Sequence, residues 1–345
     1  MIDYPKKIAN DKQLEKLLSR PTAEAVEMFR KLDGDIIFLG IAGKIGPSLA
    51  NMAKRACDEA GVKKRIIGVS RFRDSEEKKQ IESFGIETIQ GDLLDRGFLE
   101  SLPKVKNVFF LAGMKFGSED NLSLTWAMNS YLPALVVEHF KGSRIVAYST
   151  GCVYPFVPVG SGGSLEADMP QPVGEYAQSC LGRERMFEYG SKKNGTPVAL
   201  IRLNYAAEPR YGVLVDIATK VKNNLPVDLA MGYFNVIWQG DANEIAIRSF
   251  LHCDVPANIL NVTGPETLSI KWLAEQFGLI LGKEPQFVNE VQPNALLSNA
   301  SKAHQLFGYP RVTVRQMIEM TVAWLQGGGK TINKPTHFQE RKGQF

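Results

Sequence analysis

Cysteine and histidine are scarce in this chain of 345 residues, and neither residue type is clustered. The four cysteines lie far apart in the sequence, and the four histidines show no spacing typical of metal ligands. Scattered thiols are typical of reduced intracellular proteins rather than of a disulfide framework or a zinc site. We therefore expect no metal centre and no disulfide-stapled fold. The residues concerned are Cys57, Cys152, Cys180, Cys253, His139, His252, His304 and His337.

Long runs of one chemical character are also missing. The net charge is only +4, and no long cluster of lysine and arginine occurs, so nucleic-acid binding is not expected. No apolar run is long enough to span a membrane, and residues 1–20 lack the apolar segment of a secretory leader. These absences predict a cytoplasmic protein that binds neither nucleic acid nor membranes. The hydrophobic content of 44% suits one large domain or two smaller ones.

A glycine-rich turn between a short apolar run and a helical pattern is the most informative stretch. Residues 35–39 are apolar after Asp35, and Gly40, Gly43 and Gly46 follow at a spacing of three. Glycine adopts positive φ and has no Cβ to keep a ligand away from the backbone. A helix that begins here directs free N–H groups and the positive end of its dipole at a phosphate. The stretch predicts a dinucleotide-binding loop, and an ordinary tight turn is the alternative.

Strands and helices alternate from residue 35 to residue 202. Predicted strands at 36–39, 65–69, 86–90, 108–111, 144–148 and 198–201 are continuously apolar or nearly so, which indicates a parallel sheet buried on both faces. With the glycine turn after the first strand, this predicts an α/β fold with a Rossmann-type, doubly wound parallel sheet. We divide the chain into an N-terminal helical extension (1–34), a dinucleotide-binding domain (35–202) with its active-site helix (175–192), a smaller α/β substrate lobe (203–326) and a tail (327–345).

The end of the second strand bears on the choice of cofactor. In dinucleotide-binding folds an acidic residue there accepts hydrogen bonds from the adenosine ribose. This chain has Ser70 and Arg71 instead, followed by Arg73. A guanidinium suits a 2′-phosphate because it binds phosphate through two hydrogen bonds with full charge. We therefore favour NADP as the cofactor, with NAD as the alternative. If these residues have no binding role, Arg71 and Arg73 are solvated charges on a loop.

Two later segments carry candidate chemistry. The fifth strand ends in Ser149-Thr150, and carboxyl ends of parallel strands face the ligand crevice, so the Thr150 hydroxyl is placed to bind a substrate oxygen. A helical pattern then holds Tyr176 and Cys180, which share one face because they are four residues apart.

With these motifs, residues 36–326 resemble the extended short-chain dehydrogenases/reductases, the family of NAD(P)-dependent sugar epimerases and dehydratases. The Gly40–Gly46 loop resembles the family's Gly-x-x-Gly-x-x-Gly motif, and Gly91-Asp92-Leu93 resembles its adenine-contacting motif. Further similar segments are Leu111-Ala112-Gly113, Asn129 on the following helix, Ser149 to Tyr154 around the catalytic Ser/Thr, Arg202 to Arg210 beside the nicotinamide, and Asn261 to Gly264 in the substrate lobe.

The resemblance implies roles for individual residues. Thr150 would orient a substrate oxygen, and Tyr176 would exchange its proton during hydride transfer. A homodimer formed through helices that flank the sheet is also implied. The implied cofactor contacts are Gly40, Gly43, Lys44, Ile45, Gly46, Ser70, Arg71, Asp92, Leu93, Leu111, Ala112, Gly113, Tyr176 and Leu203.

One departure from the family pattern affects the chemistry. The family's active helix reads Tyr-x-x-x-Lys, and this chain reads Tyr176-x-x-x-Cys180. The missing lysine would lower the tyrosine pKa, which is near ~10 when unperturbed, and would hold the nicotinamide ribose. Lys115, Lys44 and Arg183 are the candidate replacement cations. The alternative is that hydride chemistry is lost and the protein is a cofactor-binding sensor or scaffold.

A second departure concerns the substrate. Members that act on nucleotide sugars often have an Arg-Asp pair in the small lobe, whereas this chain reads Asn235 to Trp238 there without arginine. A free sugar, sugar acid or other small polyol is therefore favoured over a nucleotide-diphosphate sugar. The expected function is an NAD(P)-dependent oxidoreductase or epimerase that acts on a carbohydrate-like molecule. Its expected substrate contacts are Lys115, Thr150, Tyr205, Asn235 and Trp238.

Overall fold

The structure is a computed structural model that describes residues 4–344 except 116, 118, 119 and 335. The predicted extension and tail are therefore covered only in part, since residues 1–3, 335 and 345 lie outside the described residues. The helices are α1 Asp11–Leu18, α2 Ala23–Lys31, α3 Gly46–Ala60, α4 Ser75–Ser83, α5 Arg96–Ser101, α6 Leu122–Trp126, α7 Leu132–His139, α8 Gly174–Asn194, α9 Val213–Lys222, α10 Gln239–Arg248, α11 Ile270–Leu281, α12 Ser301–Phe307 and α13 Val314–Gln326.

The described residues also form fifteen strands. They are β1 Ile36–Leu39, β2 Ile66–Ser70, β3 Glu87–Gln90, β4 Asn107–Phe110, β5 Arg144–Thr150, β6 Val157–Pro158, β7 Val198–Leu203, β8 Ala206–Ala207, β9 Val227–Asp228, β10 Tyr233–Phe234, β11 Ile237–Trp238, β12 Asn258–Val262, β13 Leu268–Ser269, β14 Phe287–Val288 and β15 Asn294–Ala295.

A seven-stranded parallel sheet forms the centre of the fold, with the strand order β3-β2-β1-β4-β5-β7-β12. The residues of β1 and β4 are fully buried because helices cover both faces of the sheet. Strand β1 lies between β2 and β4, since Ile36 pairs with Ile66 on one side and with Asn107 on the other. The strands that follow β1 are added on the β2 side, and those that follow β4 are added on the opposite side. This reversal opens a crevice at the carboxyl ends of the strands. The predicted Rossmann-type sheet is confirmed.

Two short helices precede the sheet and pack on the main body of the molecule. Asn10 caps α1 by accepting a hydrogen bond from the amide of Gln13, and Thr22 caps α2 in the same way from Ala25. Leu14 of α1 joins the core of the small lobe, whereas Phe29 of α2 joins the core on one face of the sheet. Both side chains are fully buried. The extension therefore contacts both parts of the molecule.

The expected position of one strand was wrong. Residues 259–262 were assigned to the small lobe, but β12 pairs in parallel with β7 and forms the edge of the main sheet. Helix α10 likewise returns to the sheet, where Ala246 is part of the same buried core as Phe29. The chain thus revisits the sheet after residue 202. The reason is long-range pairing, which local sequence patterns do not encode.

The helical segment that contains Asn129 is interrupted. A π-helical turn, Ala127–Tyr131, separates α6 from α7. Pro133 lies where the π turn passes into α7, and it has no N–H to continue the helical hydrogen bonding at that point. The turn contains Asn129, which is buried and points toward the loop after β4. A π turn at this point is consistent with a functional role for that side chain.

The C-terminal segment, residues 330–344 except 335, lies against the small lobe. Phe338 is 2% exposed in the lobe core, and Arg341 lies with its guanidinium carbon 4.4 Å from the centre of the Phe156 ring. Arg341 also donates to the carbonyl oxygens of Ala230 and Asn294. The segment is thus docked through Thr336, Phe338 and Arg341, whereas residues 332–334 are exposed.

Candidate functional site

The glycine loop is shaped by contacts that only glycine permits. Gly40 has a φ of 90°, and an ideal Cβ on it would lie 2.7 Å from the amide nitrogen of Ala112. A Cβ on Gly46 would lie 2.0 Å from the carbonyl oxygen of Ile41. Gly43 differs, because its Cβ would meet only one atom within 4 Å, at 3.6 Å. Gly40 and Gly46 therefore close the turn, and Gly43 leaves open space above it.

A cavity of about 280 Å³ lies between this loop, the carboxyl ends of β4, β5 and β7, and helix α8. Among the described residues, its wall contains three basic side chains, those of Lys44, Lys115 and Arg183, and no carboxylate. Such a cavity favours an anionic ligand. The remaining lining residues are Gly40, Gly43, Ile45, Gly46, Leu111, Gly113, Met114, Tyr148, Ser149, Thr150, Cys152, Tyr176, Leu203, Asn204, Tyr205, Ala206, Tyr211, Gly212 and Thr336.

A second cavity of about 220 Å³ adjoins the first on the side of β2. The two share Gly40, Gly43, Leu111 and Gly113, and the second adds Ser70, Arg71, Asp92, Leu93 and Ala112. Arg71 and Asp92 form a loose ion pair there, with 3.9 Å between guanidinium nitrogen and carboxylate oxygen. The two cavities form one elongated groove over the glycine loop. All cofactor contacts expected from the sequence lie along it, and their roles stay predictions.

Lys44 lies within the glycine loop and is held beneath Tyr211. Its Nζ donates to the carbonyl oxygen of Ala206 at 3.0 Å and lies 4.1 Å from the centre of the Tyr211 ring. Burial lowers the pKa of Lys44 to about 7, while nearby Glu208 acts in the opposite direction. A lysine with this pKa gains its charge most readily when an anion arrives beside it.

Helix α8 presents its chemistry on one face. Tyr176 lines the cavity, and burial, together with the Cys180 and Cys152 thiols, raises its pKa well above the usual value. Cys180 is fully buried and does not line either cavity, and burial raises its pKa to about 11. The Nζ of Lys115 lies 5.9 Å from the centre of the Tyr176 ring. The phenol therefore keeps its proton at neutral pH, and the thiol is no source of charge.

Arg183 lies one turn beyond Cys180 on the same face and is 7% exposed. It donates through Nη1 to the carbonyl oxygen of Tyr148 and through Nη2 to Oδ1 of Asn129, both at 2.7 Å. Asn129 in turn donates to Ser179 at 3.0 Å and to the carbonyl oxygen of Met114 at 2.9 Å. These contacts fix the guanidinium at the level of Ser179, between α8 and β5.

A buried ion pair joins the middle of α8 to β7. Glu184 and Arg202 are 0% and 1% exposed, and their closest nitrogen–oxygen distance is 2.7 Å. Ser149 donates to the same carboxylate at 2.5 Å, and Arg202 also donates to the Tyr154 hydroxyl at 2.6 Å. Glu184 was missed in the sequence because nothing local distinguishes it from a surface glutamate. Its partner Arg202, in the middle of an apolar strand, was the available signal.

The expected substrate contacts divide into two groups. Lys115, Thr150 and Tyr205 line the cavity. Trp238 is 1% exposed in the core of the small lobe, and Asn235 is buried and bonded to the backbone of Glu266 and Ser298. Neither lines the cavity, so the expectation for these two residues was wrong. Packing of β10 and β11 into the lobe accounts for their burial.

Other classes of site are not seen in the described part of the chain. No group of three or more His, Cys, Asp or Glu side chains there is arranged to hold a metal ion. None of the helices within the described ranges is long and apolar enough to cross a membrane.

The fold is shared with solved structures. No protein-family model and no curated protein matches the sequence. Bacillus cereus UDP-glucuronic acid 4-epimerase with UDP-glucuronic acid and NAD is 18% identical, with a TM-score of 0.70 over 85% of this chain and 99% of that chain. Thermus thermophilus UDP-glucose 4-epimerase with NAD is 19% identical, with a TM-score of 0.69 and the same coverage. Pal from Bacillus thuringiensis is 20% identical, with a TM-score of 0.70 and the same coverage. At these identities the likeness establishes the Rossmann-type fold.

Proposed function

We propose that this chain is an NAD(P)-dependent oxidoreductase or epimerase that acts on a carbohydrate-like molecule by hydride transfer. The observation that carries the proposal is the common cavity. Tyr176 and Thr150 line the same cavity as the glycine loop, although they come from distant parts of the sequence. A proton donor is thereby placed next to a dinucleotide-type groove.

The residues along the groove fit a dinucleotide. The first turn of α3 has no side-chain cap, so its amide groups are available to a diphosphate above Gly43. Lys44 adds a cation at the loop, and Ser70 and Arg71 would meet the adenosine ribose. When bound, the nicotinamide ring supplies hydride chemistry that no side chain provides. The solved neighbours with NAD support a dinucleotide, and Arg71 supports the further proposal of NADP over NAD.

Tyr176 is proposed as the proton donor. Its raised pKa keeps the phenol protonated at neutral pH, so it is present as a proton donor to a substrate carbonyl oxygen and not as the phenolate that would remove a proton from a hydroxyl. Thr150 would orient the same oxygen. Its own hydroxyl oxygen accepts from the amide of Cys152 at 3.1 Å, which fixes the rotamer. The site as it stands is therefore better suited to carbonyl reduction than to alcohol oxidation.

The substrate is proposed to be small and carbohydrate-like, and a sugar acid fits best. Lys115 and Arg183 line the cavity, and none of its described lining residues is a carboxylate. Tyr205 supplies an apolar wall. The UDP-sugars in the names of the two epimerases support a carbohydrate ligand.

Cofactor absorbance measured with a panel of sugars, sugar acids and their keto forms tests the proposal. Wild-type protein is expected to turn over at least one member, and Tyr176→Phe to reduce kcat at least about 100-fold while NADPH still binds. Leu181→Met, on the same helix, is the matched control. For an epimerase, the product isomer is detected by NMR. Failure of the wild type to bind any nicotinamide dinucleotide would overturn the proposal.

The second candidate is a dinucleotide-binding sensor or scaffold. It is favoured by one observation, the neutral, buried thiol of Cys180 next to Tyr176. Tight dinucleotide binding without turnover of any tested substrate would support this alternative. Gain of activity in Cys180→Lys would show that the missing lysine limits the chemistry.

Assembly and location are part of the proposal. Leu122, Trp126, Tyr131 and Tyr189 are exposed apolar side chains on α6, the π turn and α8, which supports a homodimer formed through these helices. Sedimentation of the wild type, with Tyr131→Glu as the disrupting variant, tests that state. A cytoplasmic location stays a prediction, to be checked by fractionation.

A further inference from the structure

Arg183 is a buried cation whose charge is not balanced within the described part of the protein. It is 7% exposed, and no carboxylate in the described part of the chain forms an ion pair with it. The neighbouring Glu184 is committed to Arg202 instead. Burying a charge without a partner is costly, so proteins keep such a charge where a ligand completes it.

One donor of this guanidinium also lacks an acceptor. Nη1 and Nη2 are used by Tyr148 and Asn129, whereas Nε is buried and has no hydrogen-bond partner. Arg183 lines the cavity beside Tyr176. Arg183 therefore belongs to the wall of a space that a ligand enters, and its unsatisfied Nε lies behind that wall.

The position of Arg183 on α8 explains how a residue at 183 reaches the level of residue 180. Side chains on a helix lean toward its N-terminus, and a long side chain covers the preceding turn. The hydrogen bond from Arg183 to Asn129, which also binds Ser179, is in agreement with this direction. The guanidinium thus lies next to the level of Cys180, one turn from Tyr176.

We propose that Arg183 binds the nicotinamide-side ribose of the dinucleotide and supplies the positive charge that Cys180 does not. This inference rests on the proposed function. A dinucleotide whose adenosine occupies the Ser70–Arg71 end of the groove, and whose diphosphate lies over the glycine loop, brings its second ribose to the α8 end of the cavity. The oxygens of that ribose are the acceptors that Nε of Arg183 lacks.

Fragments of the cofactor separate this role from a structural one. ADP lacks the second ribose, ADP-ribose contains it, and NADH adds the nicotinamide ring. Calorimetric titration of each fragment is carried out with wild type, Arg183→Met and Arg185→Met, a half-exposed arginine on the same helix that pairs with Glu188. Arg183→Met is expected to lower the affinity for ADP-ribose and for NADH about 10- to 100-fold, because a hydrogen bond to a charged group is lost. The affinity for ADP should stay within about twofold of wild type. Arg185→Met is expected to leave all three unchanged.

A charge supplied from position 180 provides a second arm. The double variant Cys180→Lys/Arg183→Met is expected to recover most of the lost ADP-ribose affinity, since the ammonium then lies near the same ribose. If Arg183→Met does not fold, as judged by circular dichroism, Arg183→Lys is titrated with the same fragments. Lysine keeps the positive charge but lacks the planar set of guanidinium N–H donors. We therefore expect an ADP-ribose affinity between those of wild type and Arg183→Met, with the affinity for ADP unchanged.

Three results would overturn the inference. Equal weakening of ADP and ADP-ribose would make Arg183 a structural clamp between α8 and β5. Unchanged binding of both would remove it from the cofactor site. Loss of affinity for glucuronate, with ADP-ribose unaffected, would assign it to a substrate anion. If the wild type binds none of the three fragments, the proposed function itself fails, and this inference fails with it.

Discussion

The two ends of the cavity are built in different ways. At the glycine loop, the shape comes from backbone contacts made by residues close together in sequence, such as Gly46 against Ile41. At helix α8, the wall residue Ser149 is held by a buried ion pair between distant segments, Arg202 and Glu184. The loop end depends on the absence of side-chain atoms, and the α8 end depends on their pairing. The first is sensitive to added volume, and the second to lost charge.

The largest expected effect tests the α8 end. Glu184→Gln leaves the Arg202 guanidinium buried without its counter-charge, so the free energy of unfolding should fall by about 3–5 kcal/mol. Urea denaturation measures it. Glu188→Gln breaks the partly exposed pair with Arg185 on the same helix and should change stability by less than about 0.5 kcal/mol. Equal losses in the two variants would remove the distinction between the buried and exposed pairs.

Next comes the loop end. Gly46→Ala forces a Cβ against the carbonyl oxygen of Ile41, and the free energy of unfolding should fall by about 1–3 kcal/mol, with loss of dinucleotide binding. Gly43→Ala, where the added Cβ has space, should keep wild-type stability and lose only affinity for the dinucleotide. Thermal unfolding and calorimetric titration give the two readouts. A stable Gly46→Ala that binds normally would contradict the steric explanation.

A pH effect of about tenfold is expected from Lys44. Because burial lowers its pKa to about 7, the free protein loses the ammonium as the pH rises, and an anionic diphosphate must then restore the proton. The NADH dissociation constant should therefore increase about tenfold between about pH 6 and about pH 8. Tyr211, Glu208, Arg210, Lys115 and Asp216 are the titratable or charged groups around it.

Lys44→Met should abolish this pH dependence while binding NADH weakly across the range. The free energy of unfolding should change with pH in the opposite direction to affinity. Between about pH 7 and about pH 10 the unfolded chain binds more protons at Lys44 than the folded protein does, so the protein becomes more stable as the pH rises through that window. A binding constant that stays level with pH in the wild type would show that Lys44 remains charged in the free protein.

The smallest effect concerns Arg71, which is partly exposed and loosely paired with Asp92. Arg71→Ala should lower NADP affinity about three- to tenfold and leave NAD affinity unchanged, because only NADP has the 2′-phosphate. Arg73→Ala, exposed and outside the groove, is the control. If the wild type binds NAD more tightly than NADP, the proposed preference is wrong.

The fold and the loop end were largely predictable from sequence, whereas the α8 end was not. Strand–helix alternation and the spacing of Gly40, Gly43 and Gly46 are local patterns, and the structure has the parallel sheet that they predict. The pairing of β12 with β7 and the burial of Trp238 arise from contacts between distant segments. Arg183 was one of three candidate cations, and its buried, unsatisfied Nε is visible only in three dimensions.

The docked C-terminal segment has a practical consequence. Thr336 lines the cavity and donates to Asp216 through both its amide and its hydroxyl, so the cavity wall includes the segment itself. A molecule that fills the cavity against Thr336 holds the segment in place, and binding and docking are thermodynamically linked. Slower proteolysis or hydrogen exchange of residues 330–344 would therefore signal an occupied cavity. Protection of this segment can therefore be used to screen ligands before any reaction is known.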